Sequence, residues 1–344
     1  MRSLSPTTVG TLTPATHRRD TRSTVSSALI EDLDRNMMAP SLDSSAPVVK
    51  TLPTGVERSQ LRWPYVIALS VVHLGALAAF IPWLFTWTGL VLAIVGIHVF
   101  GQGINIGYHR MLSHGSFRSP RWVERLLVYL GVCCLEDTPI KWVATHRRHH
   151  QHSDREDDPH SPKISVLWSH VGWLFLQNKN THSLDAYGKY ARDLVEDPFY
   201  RSLERNYRWF WIYVAHAVLF GLVGAIVGAL SGGAAEALRV GLSFVVWGVL
   251  VRTVLVWHIT WSVNSLSHVW GYRNYGTRDD STNNWFVALV TVGEGWHNNH
   301  HHSPTSASNR HRWWEFDISY LEICLLKKLG LAWDVRTFKQ KTAS

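Results

Sequence analysis

The 344-residue chain is 46% hydrophobic and 12% aromatic, ample for a sizeable core in one large domain or two modest ones. Its formal charge of +8 could suggest nucleic acid, but there is no zinc-finger spacing, no basic helix with heptads and no aromatic RNA-binding signature, so membrane headgroups or an acidic partner explain it better. The cysteines Cys133, Cys134 and Cys324 form neither a C-x-x-C pair nor an even framework, which excludes a disulfide scaffold and a cysteine-held iron–sulfur cluster.

Residues 1–60 read as a disordered N-terminal segment: rich in Ser, Thr and Pro, with short basic clusters such as Arg18-Arg19 and no apolar run long enough for a signal peptide. A transit peptide would share the Ser and Arg bias, but Glu31, Asp32 and Asp34 weaken that reading. At Pro64 the character changes. The stretches 64–85 and 89–108 are almost continuously apolar, joined by a very short link, and a second pair follows at 209–230 and 237–261 across the Gly/Ala-rich "SGGAAEALR". Each can span a hydrocarbon layer of about 30 Å, which takes about 20 helical residues. The spacing therefore predicts an all-α integral membrane protein with four transmembrane helices, in a domain running over 61–338 and followed by a tail at 339–344.

Charge sets the expected orientation. The links within the two pairs carry almost no Lys or Arg, whereas residues 109–208 carry fifteen and both termini are basic. The positive-inside tendency then places the termini and the middle segment on the cytoplasmic side, or the stromal side if the chain is plastid-targeted. Arg252 and His258 fall inside the fourth span, where a charge must face protein or a polar cavity; a helix-paired or snorkelling Arg252 is the plainer reading.

Three histidine clusters stand at the ends of these spans or in loops on that same side: "HRMLSH" with His109 and His114, "HRRHH" with His146, His149 and His150, and "HNNHH" with His297, His300 and His301. In a helix, positions i, i+3 and i+4 share a face, so each H-x-x-H-H group is expected to aim three imidazoles at one point. The i, i+5 pair fits less neatly and suggests a helix end. Eight imidazoles exceed what one ion takes, so two metals are implied. Zinc suits imidazole, and iron accepts it while leaving positions open for oxygen chemistry; ligand type does not choose between them.

The segments "GYHRMLSH", "HRRHHQHSDREDDPHSP", "SHVGWLF", "TWSVNSLSHVWG" and "GEGWHNNHH" together resemble the membrane fatty acyl desaturases, the Δ9 acyl-CoA and acyl-lipid branch, over about 62–336. The resemblance implies a cytoplasmic helical cap holding a di-iron centre, with His268 as a ninth ligand and Asn264 reaching one metal through water, the two sharing a helical face. It implies that Trp142 and Thr260 line the bend of an acyl tunnel, and that O2 is the co-substrate for a cis, Δ9-type double bond in an acyl chain carried on CoA or lipid. The electron donor would be an external ferredoxin or cytochrome b5, since no fused H-P-G-G haem-binding stretch is present. Two departures put CoA contacts in doubt: Glu136 stands where animal acyl-CoA enzymes carry a neutral amide, and Ala144 replaces a basic residue. A related di-iron hydroxylase or ketolase, or a non-enzymatic metal carrier, are the alternatives. Asp158, in "DPH", is a candidate to orient a ligand ring, with a turn aspartate as the plain alternative, and His152, His160, His170 and His302 flank the clusters without being assigned as ligands. His73, His98 and His216 are expected to pack inside the spans.

Overall fold

The computed structural model describes residues 51–338, so the expectations of disorder over 1–50 and of a tail at 339–344 fall outside it. Within the described part, the reading of 1–60 as disordered is corrected at its end. Strand β1 (Val56–Leu61) pairs antiparallel with strand β2 (Leu176–Asn178), Val56 opposite Asn178, because edge backbone groups at 176–178 need partners that this stretch supplies.

Among the described residues, three helical stretches are long and apolar enough to cross a membrane: Trp63–Phe80, Trp87–Ser113 and Pro198–Leu266, of 18, 27 and 69 residues. The first contains helix α1 (Trp63–Ala76), which takes Pro64 in its opening turn, where the missing N–H costs nothing, and tightens before Ile81. Thr86 caps helix α2 (Trp87–Gln102) by accepting from the Gly89 amide at 2.9 Å. The third stretch is two arms rather than one rod. The backbone leaves helical geometry at Gly232 and Gly233, the latter at φ +74°, and the chain doubles back. The arms meet through small residues: a Cβ on Gly224 would stand 2.7 Å from the Val240 carbonyl oxygen, and one on Gly228 would stand 2.3 Å from that of Glu236. The two arms coincide with the apolar segments at 209–230 and 237–261, and Leu219, Leu222, Ile226 and Leu230 present an apolar outer face.

Arg252, at the start of helix α6 (Arg252–Leu266), is fully buried and helix-paired. Its guanidinium donates to the carbonyls of Gly248 at 3.2 Å and Cys133 at 2.8 Å and lies 4.1 Å from the Phe100 ring centroid. The cost of placing a charge in an apolar bundle is thus offset within the protein.

Helix α2 continues without interruption as a π-helix over Gly103–Ser113, packed on helix α3 (Arg121–Val132). The two cross at Gly103 and Gly131, where a Cβ on Gly103 would meet the Gly131 nitrogen at 2.2 Å, so the contact exists only because side chains are missing. Below this crossing lies the main core, with Tyr108, Phe117, Val128, Ile140 and Tyr200 almost wholly buried. Each such side chain contributes roughly 1.5–3 kcal/mol. Helix α4 (Pro139–His152), helix α5 (Arg208–Val245, the folded arms), helix α7 (Trp285–Val290), helix α8 (His297–His302) and helix α9 (Ile318–Lys328) complete the frame that holds the histidines.

Candidate metal centre

The nine singled-out histidines gather into two adjacent groups. His109, His114, His146, His150 and His300 form one, and His149, His268, His297 and His301 the other, with the ligand-capable atoms of each group all within 4.8 Å of one another. In the first group Nε2 atoms face each other at 3.1 Å (His109 and His300), 2.8 Å (His114 and His146), 3.1 Å (His146 and His150) and 2.9 Å (His150 and His300). In the second, the Nε2 of His297 lies 3.1 Å from that of His268 and 3.0 Å from that of His301.

The π-helix explains the i, i+5 pair. Its hydrogen bonds run from i to i+5, as the His114 amide does to the His109 carbonyl at 3.3 Å, so residues five apart stand above one another. The rings of His109 and His114 accordingly have centroids 4.9 Å apart, and the pair shares one face after all.

The expectation that each H-x-x-H-H group converges on one point is corrected. On α4, His146 and His150 turn to the first group and His149 to the second; on α8, His297 and His301 turn to the second and His300 to the first. The cause is the helical pitch: i and i+4 differ by about 40°, while i+3 lies about 100° from i+4. Each helix therefore serves both groups. A second correction concerns His268, which stands beyond the end of α6 at Leu266 and so does not share a continuous helical face with Asn264.

What holds His268 instead is Asp154, whose Oδ2 lies 2.8 Å from its Nδ1. Three more rings are held the same way at Nδ1: His109 by Glu294 at 2.9 Å, His149 by Asp158 at 2.9 Å and His301 by Asp279 at 2.8 Å. A carboxylate on Nδ1 keeps the proton there and turns the Nε2 lone pair inward. Burial opposes ionisation of Asp158, Asp279 and Glu294, but the neighbouring imidazoles and, for Glu294, first of all Arg110, outweigh it and hold these carboxyls below their usual range, Glu294 at about 2. Burial pushes His268 down, yet Asp154 and Asp279 more than reverse this and lift it to about 9. Burial and the neighbouring rings push His114, His146, His150, His297 and His300 well below the ordinary value, so these five are neutral.

Nε2 atoms that face one another across about 3 Å need a proton or a metal ion between them. The Nε2 of His149, buried and without a hydrogen-bond partner, shows the same requirement. The donor set fits metal ions. Among the residues named in advance only as flanking, His160 packs against His149 with ring centroids 4.4 Å apart and contacts Asp158, while His302 turns away to stack on Tyr275 at 3.8 Å.

A cavity reaches the first group at His146 and is also lined by Trp142, Thr260, Asn264, Trp257 and Glu136. Trp142 stacks on His146, with centroids 5.0 Å apart, and donates from Nε1 to Glu136 at 3.4 Å. Asn264 lines this space and belongs to neither histidine group. Burial pushes the Glu136 carboxyl up to about 8, against the smaller lowering effects of Thr260 and Trp142. Glu136 is therefore largely protonated at neutral pH.

Of the four ring-orienting carboxylates only Asp158 stood out in the sequence. Glu294, three residues before His297, and Asp154, in the loop after "HRRHH", were legible as acids close to ligands; Asp279 carries no such cue, since its pairing with His301 depends on a loop fold.

Residues 81–318 match the family described as fatty acid desaturase. The chain is 42% identical over 275 residues to an sn-2 palmitoyl-lipid 9-desaturase of Nostoc sp., covering 79% of this chain and 90% of that protein. It is 39% identical over 285 residues to an sn-1 stearoyl-lipid 9-desaturase of Anabaena variabilis, covering 83% and 97%. An acyl-CoA 5-desaturase of Anemone leveillei is 39% identical over 275 residues, covering 79% and 78%.

Proposed function

The chain belongs to the fatty acid desaturase family, and from that premise we propose that it is an O2-dependent acyl desaturase that places a cis double bond at the Δ9 position of a saturated chain carried on lipid or CoA. The observation that carries this reading is the cavity that meets the first histidine group at His146. We assign one iron to His109, His114, His146, His150 and His300 and a second to His149, His268, His297 and His301, with Asn264 reaching one of them through water. Asp154, Asp158, Asp279 and Glu294, the last shared with Arg110, stand behind four of the rings, where their charge would favour cations on the Nε2 side.

When bound, the irons supply the oxidising power, drawn from O2 and two donor electrons, that no side chain has for an unactivated C–H bond. The protein's task is to position the chain and keep water away. Trp142 and Thr260 sit where they can bend the acyl chain beside His146, and the uncharged Glu136 closes the wall between them without a desolvated charge. Substrate position then sets which methylene pair reacts. Four membrane crossings, with the doubled third stretch counted as two, bring the site and both termini to the cytoplasmic or stromal side, where the basic middle segment suits an acidic ferredoxin or cytochrome b5.

Expression in a host without its own Δ9 desaturase, followed by double-bond localisation in each lipid class, tests the reading. A new cis-Δ9 product is expected; hydroxylated or keto chains in its place would overturn it.

A further inference from the structure

We infer that Arg62 recognises a phosphate-bearing headgroup on the acyl carrier, in a polar vestibule where β1 meets α1; this rests on the acyl-chain reading above. Five arginines are buried among the described residues, and four have clear occupations. Arg110 binds Glu294 and Asp317, Arg147 binds Asp193, Arg148 donates to the Asp157 and Asn180 carbonyls, and Arg252 serves the two backbone carbonyls described above. Arg62 has only 8% of its surface exposed and its guanidinium makes no hydrogen bond or ion pair with any described residue; Nη1 is buried without a partner. Its one contact of note is with Tyr65, whose ring centroid lies 3.4 Å from Cζ. Stacking on a ring satisfies no N–H donor, and a buried Nη1 without an acceptor is costly. Such a group is matched by a bidentate oxyanion, phosphate or carboxylate.

Place decides what the oxyanion belongs to. Tyr65 lines the cavity that also reaches His146, so a ligand on Arg62 stands beside the acyl space. The nearby acid, Asp137, is engaged: it accepts from the Tyr65 hydroxyl at 2.5 Å and from the Thr138 amide at 3.0 Å. Lys141 is matched by Glu204 at 3.2 Å and Asp137 at 3.8 Å. Arg62 and Lys141 thus balance Asp137 and Glu204 in charge, but both carboxylates are bound by other partners and neither accepts from Arg62. Beside it, burial and then the charges of Arg62 and Lys141 push His182 down to about 2, and its Nδ1 accepts from the Asn178 amide at 3.1 Å, so its proton sits on Nε2 as a further neutral donor. The vestibule thus holds a buried guanidinium N–H of Arg62 with no acceptor, which a phosphate oxygen matches better than an uncharged sugar hydroxyl.

The test uses the full metal-loaded chain in uncharged maltoside micelles, with binding read from the tryptophans that line the cavity. Dipalmitoyl phosphatidylglycerol, palmitoyl-CoA and dipalmitoyl monogalactosyldiacylglycerol are titrated into wild type, Arg62→Gln and Arg62→Lys. Wild type should bind at least one phosphate-bearing ligand on the order of tenfold more tightly than the galactolipid, the loss expected for one charge-assisted bond. Arg62→Gln should erase that preference and leave galactolipid binding unchanged, while Arg62→Lys keeps part of it; whichever of the lipid or the thioester loses affinity identifies the carrier. No preference in wild type, or a preference that survives in Arg62→Gln, would overturn the assignment. If Arg62→Gln fails to retain metal, wild type and Arg62→Lys decide. Binding is read without turnover, so a failure of the desaturase reading would show in the product analysis and not here.

Discussion

Replacing Asp154 by Asn should loosen one histidine group and spare the other. His268 has no helix to hold it, and its ring orientation depends on Oδ2 of Asp154, which lies 2.8 Å from its Nδ1 and also 2.8 Å from the Asp280 amide it accepts from. An Asn side chain can keep its oxygen there only by placing its NH2 where Oδ1 now sits, a buried position with no partner. The alternative flip aims NH2 at two donors. Loss of a charge-assisted bond costs about 1.5–3 kcal/mol, and a stranded buried donor adds about 1–3 kcal/mol. Much of that cost falls on the fold whether or not the ion is bound, so metal affinity at the group of His149, His268, His297 and His301 should fall about 10–100-fold, the usual range for losing a carboxylate behind a ligand histidine. Stepwise removal of metal by a graded chelator, followed by metal analysis of the folded protein, measures this. Asp154→Asn should release one ion early and the second at the wild-type chelator concentration. Release of both together, or of neither, would refute the carboxylate's role.

Three further outcomes follow from the same geometry. His149→Ala should abolish activity while the protein stays membrane-inserted, whereas His302→Ala, which removes only a ring stacked on Tyr275, should retain substantial activity; paired turnover and membrane-fraction assays check both. For the metal-stripped protein, stability should fall as pH drops below about 6.5, because the unfolded chain takes up protons that His114, His146, His150, His297 and His300 refuse when folded, at up to about 1.4 kcal/mol per ring per pH unit. His268, lifted to about 9, contributes stability that is lost as pH rises from about 6.5 to 9 and adds no slope below 6.5, so urea midpoints that rose on acidification below pH 6.5 would contradict the assignment. Glu136, held at about 8, should ionise above that pH and place a charge in the acyl cavity, so chain binding should weaken from pH 7 to 9 in wild type and stay level in Glu136→Gln.

The apolar blocks and the histidine boxes were plain in the sequence because each is local: hydropathy over some twenty residues, and ligand types at short spacing. The turn at Gly232–Gly233 was equally legible from its composition. What escaped was geometry that spacing underdetermines. H-x-x-H-H fixes which rings are near one another but not which of two centres each serves, and the split of His149 from His146 and His150 follows only when a second helix presents the complementary set. Reading His109 and His114 as an awkward pair assumed α-helical pitch; the π-helix that reconciles them is stabilised by packing through Gly103 and Gly131, which belong to different helices. Strand β1 was hidden because its pairing partner lies more than a hundred residues away.

On the assignment proposed above, the histidines make two unlike metal sites, one of five imidazoles and one of four. Mössbauer spectra of the purified chain grown on 57Fe, alongside metal analysis, test it most directly. Two irons per chain in equal amounts and in distinguishable environments are expected. A single ion per chain, two ions in one identical environment, or zinc as the retained metal would contradict it.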